Sequence, residues 1–284
     1  MAHGWEIAVR ARAELGEGPT WDPVAERLLW VDILSARVHS LDPADGRRAV
    51  LPVEQHVGAA KPRAGGGLVV NLRDGVGTYD ADGTFRWLRR EVVPGRRGND
   101  AAVAPDGSLW AGTMRYDERT GGGCLVRVAP DGATTTVLPE VTVSNGLGWS
   151  PDGGTLYHID TPTRRVDALT VAEDGSVGER RVLVDTASLS GFPDGMTVDA
   201  DGCLWVAFWD GGAVRRFTPD GALDRTVELP ASRTTACAFG GRGLTDLYVS
   251  TARVGIGPGA EPVAGSLLVL PGIGRGLPQP AFAG

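Results

Sequence analysis

Short apolar segments centred on an aromatic or β-branched residue recur six times along the 284-residue chain. Their centres are about 44 residues apart, which is the length of a four-stranded propeller blade. The six segments are residues 28–32 (LLWVD), 67–71 (GLVVN), 108–112 (SLWAG), 155–159 (TLYHI), 203–207 (CLWVA) and 246–250 (DLYVS). Short apolar runs of this kind are typical of buried β-strands. The pattern therefore predicts six equivalent β-rich units.

Asp-Gly pairs separate many of the predicted strands, and such pairs favour tight hairpin turns because both residues tolerate positive φ. They occur at residues 45–46, 82–83, 106–107, 131–132, 152–153, 174–175, 201–202 and 220–221. In the third unit, the pairs imply strands at residues 99–104, 108–112, 124–129 and 133–138. Both turns of a unit then lie on one face, and the first strand begins on the other. Asp-x-Asp-Gly runs also occur in calcium loops, but the glutamate that ends an EF-hand loop is missing here.

The expected fold is an all-β, six-bladed β-propeller with an N-terminal strand closing the last blade. An open ring would expose sheet edges, so the first and last units must be joined. Residues 5–15 are predicted to form the joining strand, next to residues 266–270 of the last blade. Long helical periodicity is missing from the pattern. We expect residues 1–284 to form a single domain.

Composition narrows the expected partners and location. The net charge is -7, with charges of both signs interspersed, so a nucleic-acid partner is not expected. No apolar stretch approaches the roughly 20 residues of a membrane span, and the N-terminal residues lack the apolar core of a signal peptide. Cys124, Cys203 and Cys237 form no C-x-x-C pair. A cytoplasmic protein without a membrane partner, monomeric or weakly homo-oligomeric, is the expectation.

Several conspicuous side chains are predicted to be structural. Aromatic residues at one phase of each unit fill the space between packed sheets, so we expect core packing rather than ligand stacking. These residues are Trp30, Trp110, Tyr157 and Trp205. His158, within one of the aromatic strands, is likewise expected to be packed and hydrogen-bonded. Cys203 and Cys237 lie in apolar patterns where small buried thiols are common.

Four polar residues share one phase at the start of the first strand of their units. They are Glu17, Asn99, Asn145 and Asp194, whereas the matching positions of the other two units, near Gly58 and Ala236, offer no strong ligand. First strands line the channel of a propeller, so these distant side chains should meet around its axis. Enclosed carboxylates repel each other and lose hydration, so a cation is their natural partner. Oxygen donors favour a hard divalent ion such as Ca²⁺, Mg²⁺ or Mn²⁺.

Local interpretations compete with this one. Asn145-Gly146 and Asp194-Gly195 could each be a turn, and Glu17 before Gly18 could be an ordinary loop residue. Their shared phase in a six-fold repeat favours a common metal site. With few protein ligands, positions remain for water and substrate, which is typical of a catalytic site.

Longer motifs resemble one known family over nearly the whole chain. They are LGEGPTWD, RGND followed by AGTM, SNGLGWSPDG, FPDGMTVDADGCLWVA, and TTACAFGG with LYVSTAR. These motifs are similar to those of the regucalcin, gluconolactonase and luciferin-regenerating-enzyme family, also called senescence marker proteins. The resemblance implies a six-bladed propeller with one divalent metal ion, acting on sugar-acid lactones.

The resemblance also implies roles for individual residues. Glu17, Asn145 and Asp194 would be the metal ligands. Arg97 (next to Arg96) and Asn99 would hold the substrate, and Asp117 matches the family's acidic substrate contact. Family members often carry Glu at the position of Asp117, and Gly rather than Ala101 after the Asn-Asp pair. A shorter side chain at Asp117 suggests a different reach or a different sugar.

The implied activity is metal-dependent lactone hydrolysis, with Asp194 as the catalytic proton acceptor and a sugar lactone as the small-molecule partner. The metal ion (Ca, Mg, Mn, Zn or Fe(II)) would act as Lewis acid and water activator. Two alternatives stay open at this stage. One is a phosphotriesterase-like hydrolase with a similar metal-bearing axis, and the other is a non-enzymatic calcium-binding propeller.

Overall fold

The computed structural model describes residues 4–172 and 174–284. In these residues the chain forms 24 strands in six four-stranded antiparallel sheets, arranged as the blades of a β-propeller. A 3₁₀ turn at Thr161–Thr163 is the one helical segment of the described residues, and none of their helices is long or apolar enough to cross a membrane. The predicted all-β, six-bladed architecture is therefore confirmed.

The blades follow one another along the chain, with the first strand of each nearest the axis. Blade one comprises β2 (Gly16–Asp22), β3 (Arg27–Asp32), β4 (Arg37–Leu41) and β5 (Arg48–Pro52). Blade two comprises β6 (Val57–Pro62), β7 (Leu68–Leu72), β8 (Gly75–Tyr79) and β9 (Phe85–Arg90). Blade three comprises β10 (Arg96–Val103), β11 (Leu109–Arg115), β12 (Gly123–Val128) and β13 (Thr134–Val141).

The remaining blades repeat this arrangement. Blade four comprises β14 (Ser144–Trp149), β15 (Thr155–Asp160), β16 (Arg165–Val171) and β17 (Val177–Asp185). Blade five comprises β18 (Phe192–Val198), β19 (Leu204–Trp209), β20 (Ala213–Phe217) and β21 (Leu223–Glu228). Blade six comprises β22 (Thr234–Gly240), β23 (Asp246–Thr251), β24 (Leu267–Leu270) and, as its outermost strand, β1 (Glu6–Val9). The first strands of neighbouring blades contact one another and form a ring around the channel.

The predicted Asp-Gly turns are present in all eight places. Their glycines have φ between 73° and 91°, a left-handed conformation that glycine adopts without strain. In the turn at Asp106, the side-chain oxygen Oδ1 accepts a hydrogen bond from the Ser108 amide at 2.9 Å, which fixes the turn locally. Local sequence therefore determines the hairpins on this face of the ring.

The ring is closed by the N-terminal strand, as predicted, but the strand is shorter than expected. β1 pairs antiparallel with β24 through Ile7 and Leu268, so blade six combines the N-terminal strand with three strands from late in the chain. The strand ends at Val9, and the following residues bend, with Arg12 at φ 53°. The Glu14 amide then donates to the Asp32 carboxylate at 3.0 Å, which draws this segment away from the sheet.

The predicted core residues are buried. Trp30, Trp110 and Trp205 are at most 2% exposed, and Tyr157 is 5% exposed. Rings from neighbouring blades pack edge to face, as for Trp205 and Phe239 at 5.9 Å between centroids. This geometry suits aromatic quadrupoles and joins blades five and six.

His158 is also part of the core. It is fully buried, and its Nε2 forms a hydrogen bond with the Ser144 hydroxyl at 3.0 Å. Burial lowers the pKa of His158 to about 3, so the ring is neutral. Cys203 and Cys237 are buried free thiols, as expected for core cysteines.

The C-terminal segment crosses the channel end that carries the Asp-Gly turns, a feature that the repeat pattern does not predict. Gly276 bridges to Asp199 of blade five, and Phe282 bridges to Arg63 of blade two. The Phe282 amide donates to the Pro62 carbonyl at 2.9 Å. The segment therefore ties opposite blades together.

Replacing Phe282 by alanine should destabilise the propeller, because the ring is fully buried between blades two and three. Removing a buried phenylalanine ring costs about 3–5 kcal/mol of unfolding free energy. Chemical denaturation should show this loss, whereas Leu223→Ala, at a residue 47% exposed, should change stability by less than about 0.5 kcal/mol. Equal stability of the two variants would contradict a structural role for this segment.

Candidate metal and substrate site

All six inner strands depart from regular pairing at the same level of the channel. The irregular stretches lie between Glu17 and Thr20, Val57 and Ala59, Gly98 and Ala101, Ser144 and Leu147, Pro193 and Met196, and Thr234 and Ala236. A β-bulge interrupts the strict alternation of side chains and re-aims them. Asn99, Asn145 and Asp194 lie within these stretches, and Glu17 directly precedes its own. The bulges therefore turn these side chains toward the axis.

The structure brings Glu17, Asn145 and Asp194 to one cavity of about 340 Å³, at the channel end opposite the Asp-Gly turns. The three side chains come from blades one, four and five, and each residue is no more than 7% exposed. The Asn145 amide nitrogen donates to Asp194 Oδ1 and also to the Thr161 hydroxyl at 3.1 Å. The Asn145 amide therefore points its nitrogen at protein acceptors.

Asn145 Oδ1 is buried and has no hydrogen-bond partner within the described structure. An unpaired buried acceptor is costly, so its presence calls for a missing ligand. Glu17 is only partly satisfied, because Oε2 accepts from the Gly18 amide at 3.0 Å. Two carboxylate residues and one amide residue thus line the cavity, and their oxygen atoms are a donor set that suits a hard divalent cation.

Burial and neighbouring negative charges disfavour the ionised form of both carboxyl groups when no cation is bound. Burial raises the pKa of Glu17 to about 8, and the nearby charge of Asp100 adds to this shift. Burial also raises the pKa of Asp194 well above its usual value, and the charge of Glu17 acts in the same direction. No group of three or more His, Cys, Asp or Glu side chains that could hold a metal occurs within residues 4–172 and 174–284. The candidate ligands are instead two carboxylates, from Glu17 and Asp194, and one amide, from Asn145.

Arg97 and Asn99 lie side by side in the same cavity wall. Arg97 Nη1 donates to Asn99 Oδ1 at 2.6 Å and to the Gly98 carbonyl at 2.9 Å. Asn99 Nδ2 donates to the Ser144 carbonyl at 2.9 Å, so the amide is held at both ends. Asn99 therefore positions the Arg97 guanidinium. The neighbouring Arg96 instead pairs with Glu91 at 2.9 Å and does not line the cavity.

Asp117 is placed differently from the expectation. Both of its carboxylate oxygens bind Arg115, at 2.7 and 2.8 Å, and the residue does not line the cavity. This hydrogen-bonded pair lowers the pKa of Asp117 to about 2. The next residue, Glu118, does line the cavity, and its φ of 50° reflects the tight turn that carries it there. The acidic group at this edge of the site is thus Glu118.

Further lining residues come from loops and strand ends, and none of them was predicted to be a site residue. They are Leu15, Met114, Glu118, Val143, Thr161, Pro162, Phe192, Trp209 and Asp210. Glu118 and Asp210 are exposed at the cavity mouth. The apolar side chains among these residues form a wall suited to the carbon face of a small ligand.

Close backbone packing explains why blade two contributes no ligand. A Cβ atom at Gly58 would lie 2.2 Å from the Asn99 carbonyl oxygen. A Cβ at Gly146 would lie 2.6 Å from the Asp194 carbonyl oxygen. The inner strands touch through their backbones at this level, so glycine is required for steric reasons. Asn145-Gly146 and Asp194-Gly195 are therefore parts of inner strands, not turns.

Comparison with known proteins agrees with this architecture. The family model "SMP-30/Gluconolactonase/LRE-like region" matches residues 15–253. The chain belongs to this family. It is 39% identical over 252 residues to a 6-deoxy-6-sulfogluconolactonase of Pseudomonas putida, covering 87% of each chain. It is 40% identical over 247 residues to a pentonolactonase of Haloferax volcanii, covering 86% of this chain and 84% of the relative.

Among solved structures, the chain is similar to a calcium-binding protein, regucalcin, from Agrobacterium tumefaciens. The TM-score is 0.95 at 30% identity, and the alignment covers 99% of this chain and 98% of the other. The family expected from the motifs is therefore confirmed. The similarity extends through every blade and includes the strand that closes the ring.

Proposed function

We propose that this protein is a hydrolase that opens sugar-acid lactones with the help of one divalent metal ion. The observation that carries the proposal is the buried meeting of Glu17, Asp194 and the unpaired Asn145 Oδ1 in one ligand-sized cavity. Lactonase names among relatives at 39% and 40% identity support the choice of substrate class.

The side chains present fit a metal ion. Glu17, Asn145 and Asp194 would hold it through oxygen atoms, which Ca²⁺, Mg²⁺ and Mn²⁺ prefer, and which Zn²⁺ and Fe(II) also accept. When bound, the ion supplies Lewis acidity to a carbonyl oxygen and makes a nearby water more acidic. Its positive charge would also offset the repulsion between the two carboxylates.

The protein side chains would then divide the remaining tasks of hydrolysis. Asp194 accepts the proton of the attacking water at a carboxylate oxygen, while Asn145 Nδ2 holds Oδ1 in place. The water oxygen bonds to the lactone carbonyl carbon, the ring C–O bond breaks, and the proton passes to the departing ring oxygen. The product is the open hydroxy acid.

Arg97 would stabilise negative charge on the carbonyl oxygen during this reaction. Its guanidinium lies in the cavity wall, fixed by Asn99, so little reorganisation is needed. Glu118 would accept hydrogen bonds from sugar hydroxyl groups at the mouth. This is the role expected of Asp117, which would contribute to substrate binding only by releasing Arg115.

A lactone panel on chelated protein, reloaded with one metal at a time, tests the proposal. We expect hydrolysis of aldonolactones to disappear on chelation and to return with at least one divalent ion, while an organophosphate such as paraoxon is a poor substrate. Preferred organophosphate turnover would favour the phosphotriesterase-like alternative. Metal binding without turnover of any lactone would favour a calcium-binding protein, as one structural relative is described.

A further inference from the structure

The mouth of the cavity carries a charge arrangement that bears on substrate choice. Four carboxylates line the cavity, and they belong to Glu17, Glu118, Asp194 and Asp210. Arg97 is the cationic residue in the same lining. Glu17 and Asp194 lie in the buried interior, whereas Glu118 and Asp210 are exposed at the mouth.

The two inner carboxylates face the region that would hold the metal ion, so a divalent charge would offset them. Arg97 lies deep in the wall, is 6% exposed and is hydrogen-bonded to Asn99. Arg97 therefore acts on the mouth carboxylate of Glu118 only at longer range, and within the described ranges no second cationic residue is part of this lining.

The two mouth carboxylates differ in their surroundings. Asp210 pairs with Arg233 at 3.2 Å, and the Arg233 guanidinium lies 4.7 Å from the centre of the Trp209 ring. Arg233 itself does not line the cavity. Glu118 forms no ion pair among the described residues: Arg115 is bonded to Asp117, and Arg119, the next residue in sequence, does not line the cavity. Arg97 attracts Glu118 only through space, so the Glu118 carboxylate faces the ligand without a cation at ion-pair distance.

The proposed mechanism would place the lactone carbonyl near Asp194, and an exocyclic carbon directed away from this residue would then lie toward the mouth. Hydroxyl groups there can donate hydrogen bonds to Glu118 and Asp210, whereas an anionic group would be repelled by them. Such repulsive elements are a common source of specificity, since they act against one substrate without weakening another.

On the basis of the proposed lactonase function, we propose that Glu118 and Asp210 select lactones with neutral, hydroxylated side chains and reject those with an anionic terminal group. The Pseudomonas putida relative is named for a lactone with a sulfonate at C6. In contrast to the sulfonated lactone in that name, the lactone preferred by this chain would carry an uncharged group at C6.

Steady-state kinetics with glucono-1,5-lactone and its 6-phosphate test this inference. We expect kcat/KM for the phosphorylated lactone to be at least about tenfold lower, with a ratio that approaches one as salt increases. The double variant Glu118→Gln/Asp210→Asn should raise the phosphorylated-to-neutral ratio about tenfold, since it removes two repulsive charges and frees Arg233. Asp131→Asn/Asp220→Asn, in two exposed turns on the opposite face, removes the same number of charges and should leave the ratio unchanged.

Equilibrium binding provides a second readout that does not require turnover. 1,5-Anhydroglucitol and its 6-phosphate lack the reacting carbonyl, and calorimetry should show tighter binding of the neutral compound to the metal-loaded protein. Equal or better use of the phosphorylated lactone, or an unchanged ratio in the double variant, would overturn the inference while leaving lactone hydrolysis intact. Failure to hydrolyse either lactone with any metal would instead refute the proposed function.

Discussion

Replacing Asp194 by asparagine is expected to lower kcat/KM for lactone hydrolysis by at least about 1,000-fold, because the variant loses both a metal-binding carboxylate and the proton acceptor. The amide is nearly isosteric, so the propeller should remain folded. Stability of the metal-free protein should rise at neutral pH, because burial raises the pKa of Asp194 and the folded state must keep on this carboxyl a proton that the unfolded chain releases.

The measurement combines lactone kinetics with chemical denaturation of the metal-free protein. Asp131→Asn, far from the cavity, controls for the loss of one surface charge. A loss of activity together with a gain in stability would show that Asp194 serves the reaction and destabilises the folded metal-free protein. Near-normal turnover in the variant would remove Asp194 from the mechanism.

Metal affinity is expected to rise steeply with pH, at about tenfold per pH unit for each proton released on binding. Glu17 has a raised pKa of about 8 and Asp194 is raised in the same direction, so the metal-free site holds protons that the cation must displace. Calorimetry with Ca²⁺ from pH 6 to pH 8 should show at least about a 100-fold increase in affinity.

Stability of the metal-free protein should change in the opposite sense. The folded state keeps a proton on Glu17 that the unfolded chain, with a pKa near 4.5, has released. The free energy of unfolding therefore falls as pH rises toward about 8, by about 1.4 kcal/mol per pH unit for each retained proton. Saturating Ca²⁺ should reduce this fall. A flat pH profile in the metal-free protein would show that the two carboxylates do not share an enclosed site.

Much of the fold could be predicted from sequence because its rules are local. Asp-Gly pairs determine the hairpins, as at Asp106 and Gly107, and the aromatic repeat places Trp110 and its equivalents between the sheets. The strand that closes the ring followed from the need to protect sheet edges. The C-terminal crossing did not, because the burial of Phe282 depends on contacts between residues distant in sequence.

The candidate site was predictable to the extent that it follows the repeat. Glu17, Asn145 and Asp194 share a phase, and the structure brings them together. The repeat pattern did not indicate Glu118, because the position of Glu118 depends on the hydrogen bonds between Arg115 and Asp117. This contact does not recur from blade to blade, so the repeat cannot reveal it. Asp210 comes from a strand-end turn, where spacing does not reveal side-chain direction.

The central claim is that Glu17, Asn145 and Asp194 share one divalent cation. Anomalous diffraction from crystals soaked in Ca²⁺ tests it most directly. We predict one strong peak on the channel axis, with oxygen atoms of all three side chains within about 2.6 Å of it. A calcium peak at another position only, or no peak between these three side chains at saturating Ca²⁺, would contradict the account.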